Sequence, residues 1–304
     1  MPFKPDKWLP ALRALLTKYP NISSAWRNAD ADTIRGAIRG VSPYTGKIKK
    51  DGAARVVFNI SSADVPSFTR NSRVDAYENR YDHARRIGSA PCIGSPDARE
   101  KIDRMLATLF GATAGWDKLY YGAVELNGSG IRYYGDVCLV LDDSKVSPTT
   151  KVLNRNSFDL ICEPLRSKTH ISDVWDPKLA EQQADVVAGQ WDEVGDMAAC
   201  KVLKPGADGD RRLTIGAISE GILADEDYLE VIRESSFNVG DLAEARTSAA
   251  DAAVDGLVAD RLRRGPMPSW SELLWRHRRR RADEALKAKS IPTKVVVSSG
   301  RVRT

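Results

Sequence analysis

Residues 118–143 read KLYYGAVELNGSGIRYYGDVCLVLDD. Before residue 118 the chain reads as helical pieces, one strand-like run and a long irregular stretch; here branched and aromatic residues take over, in runs of five to eight that alternate or stay apolar, as strands do. The Asn127–Gly130 stretch carries turn residues, so the two runs are expected to pair as a hairpin. Upstream, DKWLPALRALLTKY (6–19) repeats Trp8, Leu9, Leu12, Leu15 and Leu16 at helical spacing, and DADTIRGAIRGV (30–41) reads as a shorter helix closed at Gly40. ARVVFNIS (54–61) reads as a strand. Residues 61–98 are polar and irregular. Pro96 and Asp97 open a helix whose Ile102, Met105, Leu106 and Leu109 share a face, with Gly111 as its stop.

Downstream, TTKVLNRNSFDLIC (149–162), RLTIGAIS (212–219) and DYLEVIRESSF (227–237) predict short strands. Residues 178–204 predict a helix and NVGDLAEART (238–247) a turn. Residues 249–265 and 268–290 predict two further helices, the second capped by Ser269 or Ser271, and TKVVVSSGRVR (293–303) a last strand. Strands flanked by helices without repeated strand–helix–strand units indicate an α+β protein rather than a doubly wound sheet. The helical pieces suggest an N-terminal helical region (1–60) and C-terminal helices with a basic segment (251–304), which leave a core at 61–250.

Composition narrows the classes. The chain has 304 residues, 42% hydrophobic and 29% charged, and no apolar run long enough to span a bilayer. Its first residues do not read as a secretory signal. Four scattered cysteines with no CxxC argue against zinc or a disulfide framework, and point to synthesis in a reducing cytoplasm, compatible with export by a dedicated machine. Only His83, His170 and His277 are available for a histidine-based metal site or hydrolase. No phosphate-binding loop, dinucleotide glycine fingerprint or nucleophile elbow occurs. Net charge is +5, concentrated in WRHRRRRADEALKAK (275–289). Arg278–Arg281 in that segment suit either a solvated helix face or phosphate contacts to nucleic acid.

Three segments then stand together: Y-G-D-V at 134–137, T-T…N-S at 149–157, and Y-x-E at 228–230 followed by D-L-x-E at 241–244. In this order, over roughly Tyr77 to Ala245, the chain resembles the ADP-ribosyltransferase-like domains of bacterial toxins, secreted effectors and phage-borne proteins. The resemblance implies a split β-sandwich that grips NAD as co-substrate, cleavage of its nicotinamide–ribose bond, and a protein or nucleic-acid acceptor for the ADP-ribose. It implies Glu230 as the strand-borne catalytic carboxylate and Ser157, beside Asn156, as the serine that positions it. Arg80 or His83 would hold the NAD phosphates, with Arg73 and Arg132 as competitors. Tyr121, Tyr133 and Tyr134 would stack on nicotinamide, with Gly135 beside them. Tyr228 stands where the family's commoner pattern has a second acid or amide, which leaves plain NAD cleavage to Glu230, with Glu226 as a substitute acid if a loop brings it near. The rival readings are a non-catalytic nucleic-acid-binding or phage structural protein using Arg278–Arg281, and a fold-mate that has lost catalysis.

Overall fold

The computed structural model describes residues 54–88, 96–153, 156–157, 188–191, 194 and 228–296. The helices expected at 6–19 and 30–41, the strand at 212–219 and the residues Glu226 and His170 lie outside these. The described strands are β1 (Arg55–Ile60), β2 (Tyr120–Glu125), β3 (Val137–Leu141), β4 (Lys151–Leu153), β5 (Ala188–Gln190), β6 (Glu230–Arg233), β7 (Leu242–Ser248) and β8 (Thr293–Val296). They form one sheet in the order β5-β4-β6-β2-β1-β3-β7-β8. Every pairing is antiparallel except β7 with β8. The described helices are α1 (Val65–Arg70), α2 (Arg80–Ile87), α3 (Pro96–Phe110), α4 (Ala249–Arg264) and α5 (Trp270–Ala288). The chain is thus α+β, as its pattern indicates.

The sheet corrects several expectations. β2 and β3 do not pair as a hairpin, because β1 lies between them, with Val57 opposite both Ala123 and Val140. Val56, Val57 and Phe58 are buried, and only a central position supplies hydrogen-bond partners on both edges of so apolar a strand. The connection is instead a loop organised by Asn59 of β1. Its side-chain amide donates to the carbonyls of Ser129 and Gly135, both at 3.0 Å, and its Oδ1 accepts from the Ile131 amide at 2.8 Å. Tyr133 and Tyr134 therefore sit in this loop rather than at the head of a strand.

Residues 242–248, expected in a turn, are β7. The turn signals end with Asp241, where Asn238 and Asp241 cap a short 3-10 turn reciprocally. Residues 188–190, expected in a helix, form β5 against β4. The polar stretch after Ser61 contains α1 and α2. The second is capped by Asn79, which accepts from the amides of Tyr81 and Asp82, and is closed by Gly88 at φ 67°. The divisions expected at residues 60 and 250 run through shared structure, since β1 is central in the sheet and β8 is its edge.

Two apolar clusters cover the sheet. The larger contains Val56, Phe58, Val124, Leu139 and Val231, and takes in Phe68 of α1 together with Ala282 and Leu286 of α5. The smaller places Ile102 and Leu106 of α3 on Leu119, Leu153 and Ile232. Each of those fully buried aliphatic side chains contributes about 1.5–3 kcal/mol, so α3 is anchored firmly over the β4–β6–β2 part of the sheet. Ser269 caps α5 in a reciprocal box with Glu272, as the sequence predicts.

The basic segment on α5 is divided by burial. Arg278, Arg280 and Arg281 are exposed. Arg279 is buried: it donates to Asp136 Oδ2 at 3.1 Å, its guanidinium lies 5.1 Å from the Trp275 ring, and Asp136 also accepts the Ser62 amide at 2.7 Å. Arg279→Ala leaves Asp136 half-buried without its cation and lowers unfolding free energy by about 2 kcal/mol, whereas Arg280→Ala changes it by less than about 0.5 kcal/mol. Urea denaturation of the two variants checks this; equal effects contradict it.

Candidate active site

Glu230 is the first residue of β6, opposite Ala123 of β2 on one side and Leu153 of β4 on the other. Residues directly opposite in an antiparallel pair share a face. Glu230 therefore projects on the face that α3 covers, together with Tyr121, two residues before Ala123. It is 2% exposed. A carboxylate so buried requires partners, and two described groups provide them. The Ser157 backbone N–H donates to Oε2 at 2.9 Å, and the Tyr228 hydroxyl faces Oε1 at 3.4 Å. Ser157 follows β4 and is fully buried.

Across the face stands α3, with Arg99 and Asp103 one turn apart and therefore on the same side. Arg99 donates through Nη1 to Ser157 Oγ at 3.2 Å, pairs through Nε with Asp103 Oδ1 at 2.8 Å, and lies over the Tyr121 ring at 3.8 Å. Asp103 also accepts from the hydroxyls of Tyr81 and Tyr121, each at 2.6 Å. Arg80, at the start of α2, lies 3.8 Å from Asp103 and 4.5 Å from the Tyr81 ring centre. Among the described residues, buried Arg80 Nε and Nη1 and Arg99 Nη2 have no hydrogen-bond partner. Guanidinium N–H groups buried without acceptors are costly, and they mark where an anionic or carbonyl-rich ligand gains most.

These groups line a cavity of about 520 Å³ whose wall includes Arg80, Arg99, Tyr121, Tyr133, Tyr134, Tyr228 and Glu230. A neighbouring hollow of about 740 Å³ shares Asn59, Tyr77, Glu78, Asn79, Arg80 and Tyr134 with it. Both volumes suit a small-molecule ligand, and Arg80 and Tyr134 belong to both walls. Tyr133 and Tyr134 meet edge to face at 5.2 Å and are half-exposed, so they offer ring surface at the mouth. The Tyr134 hydroxyl lies 3.4 Å from that of Tyr228.

Electrostatics single out Glu230. Burial pushes its carboxyl above the ordinary range, while the Arg99 cation and the hydrogen bonds from Ser157 and Tyr228 pull the other way. Burial likewise holds Tyr121 and Tyr228 well above the usual phenol value, so both are neutral donors near neutrality. For Arg99, burial opposes the charge, but the carboxylates of Asp103 and Glu230 outweigh it, and the guanidinium stays charged. Perturbed groups converging on a cleft mark a candidate functional site, although structural ion-pair networks shift pKa values too.

Most of the sequence-predicted residues converge here. Glu230 and Ser157 are joined by a hydrogen bond, and Arg80, Tyr121, Tyr133, Tyr134 and Tyr228 line the cavity. His83 lies in the adjoining hollow, exposed, 3.4 Å from Glu78 and 3.0 Å from Arg86. Four others stand elsewhere. Gly135 packs against the Ile60 backbone, where a Cβ would come within 2.1 Å of the carbonyl carbon; it is a close-packing glycine, outside the cavity wall. Arg73 pairs with Asp75 on the surface, and Arg132 pairs with Asp251 at the start of α4. Asn156, half-buried beside Ser157, does not line the cavity. Sequence reasoning missed Arg99, Asp103 and Tyr81. An Arg and an Asp four apart on a helix read as an ordinary exposed pair; the one signal against that was their sharing a helix face with Ile102 and Leu106.

Among the described residues no helix is long and apolar enough to cross a membrane. Compared with protein-family models, curated proteins and solved structures, the chain matches none of them.

Proposed function

We propose that the protein is an NAD-dependent mono-ADP-ribosyltransferase or NAD glycohydrolase, acting in a toxin, effector or defence setting. The observation that carries this reading is the buried Glu230 carboxylate, held by the Ser157 amide in the wall of a cavity of about 520 Å³ faced with tyrosines and two arginines. The expected split sandwich is here one continuous sheet, with β2 paired to β1; on this reading its β5-β4-β6-β2 half presents the carboxylate, and β1-β3 presents the loop that holds Tyr133 and Tyr134.

The chemistry follows from the charges. Nicotinamide is cationic while bonded to ribose and neutral once it leaves. When the glycosidic bond breaks, its electron pair goes to the nicotinamide nitrogen and positive charge grows on the ribose. A fixed carboxylate beside that ribose stabilises the growing charge and holds a hydroxyl in place, and it needs no reorganisation to do so. Glu230 has this rigidity because it is on a strand, flanked by Ala123 and Leu153. The acceptor, or water, then attacks the ribose carbon and releases a proton. Tyr133 and Tyr134 offer flat apolar surface for the nicotinamide. Arg80, with two unpartnered guanidinium nitrogens, suits the diphosphate. Against the rival reading, one of the four arginines Arg278–Arg281 is turned inward and paired, which thins the surface available to nucleic acid.

Calorimetric titration tests the co-substrate. Arg80→Met weakens NAD binding about 10- to 100-fold, the worth of a charged hydrogen bond, and leaves nicotinamide riboside, which lacks the diphosphate, unaffected. Equal losses for both ligands, or no NAD binding by the wild type, contradict the assignment.

A further inference from the structure

Arg99 faces Glu230 from the opposite side of the cleft, yet it makes no hydrogen bond to the carboxylate. It reaches it through one intermediary, with Nη1 on Ser157 Oγ at 3.2 Å and the Ser157 amide on Glu230 Oε2 at 2.9 Å. Two further groups fix the guanidinium. Asp103 holds Nε at 2.8 Å, the Tyr121 ring lies flat beneath it at 3.8 Å, and the Tyr121 hydroxyl returns to the same Asp103 oxygen at 2.6 Å. Asp103 is 1% exposed and is further tied by Tyr81. Helix α3, seated by Ile102 and Leu106, thus carries a rigid cation to the segment after β4.

We infer that Arg99 is a positioning residue for Glu230, clamping the Ser157 segment that orients the carboxylate and providing the fixed positive charge that faces it. This rests on the assignment of Glu230 as the reacting carboxylate. The logic is that of a ligand oriented from one layer further out. Ser157 follows β4, a strand of three residues. The bond from Arg99 attaches that segment to a second, independently anchored element. Arg99 also has a charge role. The described groups facing Glu230 are Arg99 from α3, Tyr121 from β2, Tyr228 ahead of β6, Tyr134 from the loop before β3, and the Ser157 amide. Arg99 is the cation among them, the tyrosines carrying no positive charge in either protonation state. Asp103 and Arg80 stand one layer out. Burial raises the Glu230 carboxyl, and Arg99 is the largest influence holding it down.

The two roles separate experimentally. Arg99→Met removes both the clamp and the charge. It lowers kcat for nicotinamide release by about 10- to 100-fold, the scale of a misplaced catalytic group, and moves the acid limb of the pH profile to higher pH. Arg99→Lys keeps a charge and loses the fork; kcat falls while the acid limb stays near its wild-type position. A merely structural arginine would leave that limb in place in both variants. Carboxyl carbon NMR of protein labelled at glutamate reads the same coupling without turnover. The Glu230 resonance, assigned by its loss in Glu230→Gln, titrates at higher pH in Arg99→Met than in wild type. A folded Arg99→Met with an unmoved Glu230 titration overturns the inference. If near-ultraviolet circular dichroism shows that Arg99→Met does not fold, Arg99→Lys decides, and wild-type kcat in that variant overturns it. Failure of the functional reading looks different: wild type and Glu230→Gln then release nicotinamide equally, while the titration still reports on Arg99.

Discussion

Glu230→Gln lowers kcat for nicotinamide release from NAD by about 100- to 1,000-fold, the range found when a preorganised electrostatic contact to a transition state is removed, and leaves KM for NAD almost unchanged. The substitution is nearly isosteric. Its amide oxygen still accepts from the Ser157 N–H, so the fold of the cleft is preserved and only the charge is lost. Because that charge matters most when the ribose becomes cationic, the loss falls on kcat rather than on binding. The wild-type pH profile carries its own signature. Burial raises the Glu230 carboxyl, so activity falls on acidification through a limb displaced to higher pH than an exposed glutamate gives.

Stability moves the other way. A carboxyl whose folded value is raised binds its proton more tightly in the folded state. Its contribution to stability is therefore lost as pH rises from the unfolded value toward and through the folded one. Glutamine has no such penalty. Glu230→Gln melts above wild type at neutral pH, and the two converge below the unfolded carboxyl range, near about pH 4. Differential scanning calorimetry at both pH values measures this. The same residue is then identified twice, as a loss in rate and a gain in stability, which is the pattern of a strained functional group.

Gly135→Ala has the largest expected effect on folding. A Cβ built there lies 2.1 Å from the Ile60 carbonyl carbon and 2.2 Å from its oxygen, both backbone atoms of the central strand. Neither can move aside without displacing β1. Overpacking of this kind lowers unfolding free energy by about 3 kcal/mol or more. The damage also spreads to the site, because Tyr134 precedes Gly135, and Asp136 after it holds the Ser62 amide and Arg279. Gly256→Ala in α4 is the matched control: nothing lies within 4 Å of its Cβ position, and alanine in a helix interior adds up to about 1 kcal/mol. Urea denaturation distinguishes the two, and a Gly135→Ala variant as stable as wild type refutes the packing.

What was legible in the sequence was what is encoded locally. The apolar spacing of residues 102–106, the Ser269 cap and the branched run at 137–141 each specify their element from within a dozen residues. The convergence of Glu230 and Ser157 was legible through a motif order, although 73 positions separate them. Strand order was not, because Asn127–Gly130 offers hairpin chemistry and nothing nearby reveals that Asn59 claims that loop. β7 was hidden behind its own turn signals, Asn238 and Gly240. Arg99 and Asp103 were hidden by type: only the packing of α3 on the sheet turns a commonplace helical ion pair into a buried network with Tyr81 and Tyr121.

The most direct measurement follows NAD labelled in its nicotinamide ring, incubated with the wild-type protein alone and with cell extract as a source of acceptors. Protein-dependent release of free nicotinamide is expected, abolished in Glu230→Gln while that variant still binds NAD. Label that remains wholly in NAD under both conditions, or release that is equal in the two proteins, contradicts it.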